Sequence, residues 1–285
     1  MLKKNVSDHD AGVATKEIVT ISSRISIIQY VRKCLQYNEL TWALVKKDLK
    51  VKYSQTKLGL LLSLLQPLVS LFLFSFFFGN LMKLGTDGSP YPVFVFIGLT
   101  SWYSFSYIVA YASSSLIESN YLIKKVYFPK LILPVSKALS SLLEFIIWMT
   151  ILVVLMIFYG IQPSYRLVFF PLFLIMNILT GLTIGIWLSA LSFRKRDILH
   201  IVPYMAGLTI IVTPVFYPNS IIPEHLSFLL YCNPMAGIIQ GFRWCITGMD
   251  PFSLNFLPGF LFVILLFVLS IWYFKNVEYK MAEQL

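Results

Sequence analysis

Between Lys57 and Lys83 the chain runs through Leu58–Met82 without one charged side chain. A helix rises about 1.5 Å per residue and the hydrocarbon core of a bilayer is about 30 Å thick, so about 20 apolar residues cross it. Three further charge-free runs of that order follow: Gly88–Ile117, Leu167–Phe193 and Pro251–Phe274. Leu131–Tyr159 is apolar except for Lys137 and Glu144, and Ile201–Tyr217 is shorter but can span with its flanks. Backbone in lipid must satisfy its own hydrogen bonds, so runs of this length read as helices. Only 13% of the 285 residues are charged, about half the usual share of a soluble domain. The expected fold is therefore an all-α integral membrane protein with six transmembrane helices, at about 58–82, 91–117, 131–159, 167–192, 200–217 and 252–274.

His225–Phe242 is apolar but interrupted by Asn233-Pro234, Gly237 and Gly241. Either half is too short to cross, and breakers at membrane depth are tolerated where protein or a wet cavity covers the backbone. The segment 218–248 is read as re-entrant half-helices before the last span.

Six crossings put both termini on one side. Eleven of the 23 Lys and Arg then lie in residues 1–57, four in 118–137, three at Arg194, Lys195 and Arg196, and two at Lys275 and Lys280. Only Lys83, Arg166 and Arg243 face the other way. The positive-inside rule places both termini in the cytoplasm. The same asymmetry accounts for the net charge of +10 as a basic face against anionic lipid, without nucleic acid. No signal peptide is visible, so the first span reads as an uncleaved anchor.

The domain reading follows: a cytoplasmic amino-terminal segment, 1–57; the membrane domain, 58–274; and a cytoplasmic tail, 275–285. Within the first, Ile25–Tyr53 has helical spacing, with Trp42, Val45, Leu49 and Tyr53 on one stripe and Lys46, Lys47 and Lys50 beside it. That pattern suits an amphipathic helix in the membrane interface, or one packed on protein.

SNYLIKKVYFPKLILP (119–134) joins the second and third spans on the cytoplasmic side. Asn120–Val126 can form a short helix ending before Phe128-Pro129, and Pro134 suits the first turn of the next span. Tyr121, Tyr127 and Phe128 would project from a rigid turn, either into a partner's groove or against lipid. In the second inner loop, Asp197 can pair with a neighbouring cation or cap the next helix. Cys34, Cys232 and Cys245 form no C-x-x-C pair, and His9, His200 and His225 are scattered, so no metal site is expected.

Four stretches, taken together and in order, resemble the membrane subunits of ABC-2-type exporters, in particular permeases for lipid-linked polysaccharide such as O antigen. They are DLKVKYSQTKLGLLLSLLQPL (48–68), LIKKVYFPKLILP (122–134), WLSALSFRKRDI (187–198) and VFYPNSIIPEHLSFLLYCNPMAGIIQGFRW (215–244). The loops depart modestly: a lysine follows Pro129 where arginine is common, and the second loop reads RKRD rather than R-Y-R-D. The resemblance implies a bacterial inner-membrane permease that pairs with a second copy of itself and with two nucleotide-binding ATPase subunits. It implies an ATPase-coupling element at Asn120, Tyr121, Lys124, Lys125, Tyr127, Phe128 and Pro129, joined by Arg194, Arg196 and Asp197 of the second loop. It also implies an aromatic-lined channel.

Aromatic faces stack on the apolar face of a sugar ring. The candidates for the channel are Trp102, Tyr103, Phe105, Tyr107 and Tyr111 early in span 2, and Phe216 and Tyr217 at the end of span 5; the alternative is a lipid-facing belt. Glu144, an acid within span 3, faces the channel or bonds Ser140, Ser141 or a second copy. Lys50, Lys52 and Lys57 are candidates for a lipid diphosphate. No Gly is followed by Lys anywhere, so the chain lacks the usual phosphate-cradling loop. It is expected to be no enzyme and to hold no cofactor, with ATP and Mg bound by the partner. Competing substrates are teichoic acid, capsule or a hydrophobic drug. A secondary transporter would need more intramembrane ionisable groups than Glu144.

Overall fold

The computed structural model describes residues 26–54, 59–86, 88–193, 195–249 and 251–282. Eleven α-helices are present among them and no strand: α1 (Ile27–Gln36), α2 (Asn38–Ser54), α3 (Gly59–Phe74), α4 (Tyr91–Glu118), α5 (Asn120–Lys125), α6 (Ile132–Phe158), α7 (Phe170–Ser192), α8 (Ile198–Val212), α9 (Ser227–Cys232), α10 (Pro234–Ile246) and α11 (Leu257–Ala282). A π-helical turn, Ser75–Leu81, prolongs α3.

Five helical stretches are long and apolar enough to cross a membrane: Leu64–Leu81, Tyr91–Glu118, Ile132–Phe158, Tyr165–Ser192 and Leu254–Lys280. The remaining expected span, 200–217, falls on the shorter apolar helix α8. Its 15 residues reach about 22 Å, less than the hydrocarbon thickness. The last helix runs to Ala282, well past the expected end at 274.

α4 is the centre of the bundle. It packs against α3, α6, α7, α8 and α10, and most of its length is buried. Lipid gives helices no hydrophobic reason to associate, so close approach through small residues carries the packing. α7 supplies Gly181, Gly185 and Ser189 at intervals of four. A methyl group at Gly181 would lie 2.8 Å from Ile108 Cγ2, and one at Gly185 would lie 2.6 Å from Ala112 Cβ. Beyond them, the Ser115 and Ser189 hydroxyls are 3.2 Å apart and Ser192 donates to the Ser113 carbonyl at 2.9 Å.

The interrupted segment before the last span is built differently from its sequence pattern. Only Asn233 breaks the helix: its side chain accepts from the Met235 N–H and donates to Thr213 Oγ1, both at 3.0 Å. Gly237 and Gly241, expected as breakers, lie inside α10. They are notches that seat the rings of Phe256 and Phe173, which a Cβ at either position would strike. α10 is buried along nearly all its length. Its Arg243 donates to the Val215 carbonyl at 2.8 Å, with its guanidinium 3.5 Å from the centre of the Phe94 ring.

The amino-terminal helix is two helices, parted at Tyr37. Ser26 and Gln29 form a reciprocal cap at the start of α1. α2 lies on α6, and the expected stripe is not the face that it buries: Val45 is buried while Trp42 is exposed. The packed face is Leu44, Asp48 and Lys52, spaced by four. Asp48 pairs with Lys137 of α6 at 3.2 Å, and Lys137 also pairs with Glu118 of α4 at 2.8 Å. The pairs turn a polar stripe toward protein.

Gly185→Leu is expected to force α4 from α7 and destabilise the fold by about 2 kcal/mol or more, the range of overpacked cores. Gly207→Ala, with open space around the added Cβ, is the neutral control. Thermal denaturation of the purified protein in detergent compares the two.

Candidate functional site

An α-helix turns about 100° per residue, so neighbours on α4 point different ways. The expected aromatic cluster accordingly divides. Trp102 and Phe105 are buried on one side of α4. They line a cavity of about 380 Å³ closed by Thr180 of α7, Val202 and Met205 of α8, and Asn233. Tyr103, Tyr107 and Tyr111 repeat every four residues on the adjacent side and form a ladder. Successive ring centres are 6.4 and 5.7 Å apart, with interplanar angles of 26° and 11°.

Trp148 of α6 flanks this ladder, 5.4 Å from Tyr103 and 5.6 Å from Tyr107. α3 covers its other flank. Tyr107 donates to Gln66 Oε1 at 2.6 Å, and the Ser70 and Tyr103 hydroxyls are 3.0 Å apart.

At the foot of the ladder lies an ion pair. The Lys52 ammonium of α2 bonds the Glu144 carboxylate and donates to the Tyr111 hydroxyl at 2.9 Å. It also stands 5.5 and 5.0 Å from the Tyr107 and Tyr111 ring centres. Glu144 is 4% exposed. An isolated carboxylate so placed would carry a desolvation cost of several kcal/mol; the ammonium offsets it, and the ring faces hold the cation. The expected partners of Glu144 are elsewhere engaged: Ser140 and Ser141 donate to the Lys137 and Ala138 carbonyls. Lys52, expected to meet a diphosphate, has its amine turned to Glu144 instead. Lys50 remains exposed, and Lys57 lies outside the described residues.

Phe216 joins neither aromatic group. It is buried beneath the end of α3, stacked 4.0 Å from Phe74 and 5.8 Å from Phe78 of the π-helical turn. Its carbonyl accepts from the Tyr91 hydroxyl at 2.8 Å. The half-buried Tyr217 returns its hydroxyl to the carbonyls of Ile211 and Val212.

The inner loop follows the expectation in outline. Asn120 opens the short helix α5, Val126 caps it, and Pro134 stands in the first turn of α6. Tyr121 is 71% exposed and Tyr127 41%. Lys124 and Lys125 are exposed too. Phe128 is a correction: at 2% exposure it is a core residue, packed with Leu131, Ile132, Phe274 and Val277. Pro129 is buried beside it. Val126 leaves α5 in extended backbone, where successive side chains point to opposite sides, and of the two adjacent aromatics Phe128 is the buried one. Lys33 of α1 reaches over the Tyr127 ring, 5.1 Å from its centre. Arg196 and Asp197 are exposed, and Asp197 makes no capping bond to α8. Arg194 lies outside the described residues.

Outside the spans, burial has a consistent effect on titration. It pushes the Cys34 thiol up to about 12 and raises the Tyr30 phenol, with Glu278 adding to both shifts. It lowers the Lys130 amine, against the pull of Glu278.

Residues 39–247 match the family described as ABC-2 type transporter. The chain belongs to that family. It is 31% identical over 219 residues to the O-antigen export system permease protein RfbA of Myxococcus xanthus, covering 76% of this chain and 84% of that one. It is 29% identical over 250 residues to an RfbA of Klebsiella pneumoniae, covering 86% and 94%. The polysialic acid transport protein KpsM of Escherichia coli is 24% identical over 239 residues, covering 81% and 91%.

Several residues of this ABC-2 protein's site escape a reading by sequence. Gln66, Ser70 and Trp148 complete the ladder. Trp148 follows Glu144 by four, which puts both on one face of α6, and that spacing was the available signal. Nothing local joins Lys52 to Glu144, 92 positions on.

Lys52→Met strands Glu144. Breaking a fully buried pair costs about 3–5 kcal/mol; with Lys52 at 36% exposure, a loss of about 2 kcal/mol is expected. Lys52→Met combined with Glu144→Gln should regain at least half of it. Denaturation of Lys52→Met, Glu144→Gln and the double variant measures the coupling, and a double variant no better than Lys52→Met would deny it.

Proposed function

We propose that this ABC-2 permease is the membrane subunit of an ATP-driven exporter that moves a lipid-linked polysaccharide of the O-antigen type across the bacterial inner membrane. The observation that carries the reading is likeness to O-antigen export permeases along most of their length and most of this chain. Two copies of the permease work with two ATPase subunits, which bind ATP and Mg. The chain crosses six times, α8 serving as the short fifth span, and α9 and α10 re-enter from the outer side, with the half-buried break at Asn233 and the buried α10 in support. Both termini are cytoplasmic, as the distribution of basic residues favours.

In this reading α5 is the coupling element. Tyr121 and Tyr127 are the aromatics offered to the ATPase, and Phe128 is the seat that holds them. Arg196 and Asp197 add a second exposed contact. The tyrosine ladder is the favoured surface for sugar rings, because stacked faces accept successive residues of a polymer without reading one linkage. Trp102 and Phe105, buried against α7 and α8, are favoured as support for α4. Lys50 and Lys57 are the cations left for the lipid diphosphate at the inner leaflet.

The test is loss of the gene. Cells lacking it should lose the surface polymer and accumulate it on its lipid carrier inside. Capsule lost with O antigen retained would favour the capsular reading, which the KpsM likeness makes the second choice. The purified chain alone should hydrolyse no ATP. In a chain whose own cysteines are serines, Gly85→Cys and Ser220→Cys should label from outside intact cells and Lys195→Cys should not; external labelling at 195 would reverse the orientation.

A further inference from the structure

Glu278 lies near the end of α11, on the face of Ile271 and Phe274, at intervals of three and four. Those two neighbours are buried in the inner hydrophobic cluster. A carboxylate continuing an apolar face is costly unless it has partners, and Glu278 has two from distant parts of the chain. Its Oε2 accepts the Tyr30 hydroxyl of α1. Its Oε1 accepts the backbone N–H of Lys130 at 3.0 Å, directly after Pro129.

The Lys130 N–H is a place where the loop could turn to water instead. It precedes α6, whose first turn is closed by the carbonyls of Pro129 and Lys130. A charged acceptor makes a bond roughly twice as strong as a neutral one. Beneath that bond, Phe128 fills the space between Leu131, Phe274 and Val277. Above it, Lys33 of the same α1 holds Tyr127. One carboxylate thus ties the exit of the inner loop to both the first and the last helix.

We propose that Glu278 is a positioning residue for energy coupling: its hydrogen bonds fix the angle at which α5 and Tyr127 meet the ATPase, and make α1 and α11 move with them. The proposal rests on the coupling role of α5 given above. Without the bond, α5 would hinge at Ser119 and Pro129, and the ATPase's closure would turn the loop without moving the spans.

The test uses the whole complex. Surface polymer is measured in cells, and ATP hydrolysis and partner retention in the purified permease–ATPase complex. Glu278→Leu should retain the partner and its hydrolysis while surface polymer per ATP turnover falls by about tenfold, the scale of a lost charged hydrogen bond. Tyr30→Phe should lower it by about twofold. Glu278→Gln keeps an acceptor for Lys130 and a donor toward the Tyr30 oxygen, and should restore most of the ratio. Tyr121→Ala with Tyr127→Ala tests the coupling role itself. A lowered ratio there with normal Glu278→Leu and Tyr30→Phe complexes overturns the proposal alone. A normal ratio in the double tyrosine variant overturns the coupling role and the proposal with it. A Gln variant as poor as Leu overturns the hydrogen-bond assignment. Should Glu278→Leu fail to insert, Tyr30→Phe decides, and an unchanged ratio there overturns the proposal.

Discussion

The bundle depends on α4 and α7 meeting at backbone distance. Lipid and leucine are alike apolar, so the helices gain nothing by hiding hydrophobic surface from lipid. What holds them is dispersion across a tight seam, and the seam exists because Gly181 and Gly185 present no side chain to Ile108 and Ala112. With α7 drawn in, α4 is enclosed, and its two aromatic sides are committed. Trp102 and Phe105 support α7 and α8, while Tyr103, Tyr107 and Tyr111 face α3 and α6. The same device recurs at α10, where Gly237 and Gly241 admit Phe256 and Phe173.

Ionised groups in the apolar region follow a second constraint: each is held by a partner from another element. Glu144 on α6 takes Lys52 from α2, and Arg243 on α10 takes the Val215 carbonyl and the Phe94 ring. Lys137 gathers Asp48 and Glu118 from α2 and α4. The amino-terminal helices are therefore joined to the bundle. Charge pairs at 48 and 52, and the Tyr30–Glu278 bond, attach them to the spans.

Length and polarity made the spans legible, because a charge-free run of 25 residues has few other readings. The helix ends at Glu118 and Phe158, and the break at Asn233, follow from the same reasoning. What could not be read is which partner a polar residue takes across the chain. Lys52 looks like any lysine before a span, and only folding brings Glu144 to it. The glycines of α10 misled for a related reason: spacing alone does not distinguish a helix breaker from a notch, since both need the absence of a Cβ. Phe128 and Tyr127 are adjacent and chemically alike, and their opposite fates are set by the tertiary packing around them.

The ladder and the ion pair belong to one argument about selectivity. Three parallel tyrosine faces offer dispersion, which every sugar ring accepts, while their hydroxyls are partly committed to Gln66, Ser70 and Lys52. Hydrogen-bonding groups already satisfied by protein discriminate little among hydroxyl patterns, because a poorly matched ligand leaves nothing unpaired. In the proposed export role, a surface of this kind would hold a chain by its faces and let it advance, which suits a polymer of changing sequence better than a fixed small molecule. Lys52 and Glu144 fix one end of that surface: they tie α2, α4 and α6 together and neutralise each other. In the proposed role that neutrality matters: a lone lysine there would arrest an anionic head group, and a lone carboxylate would repel it.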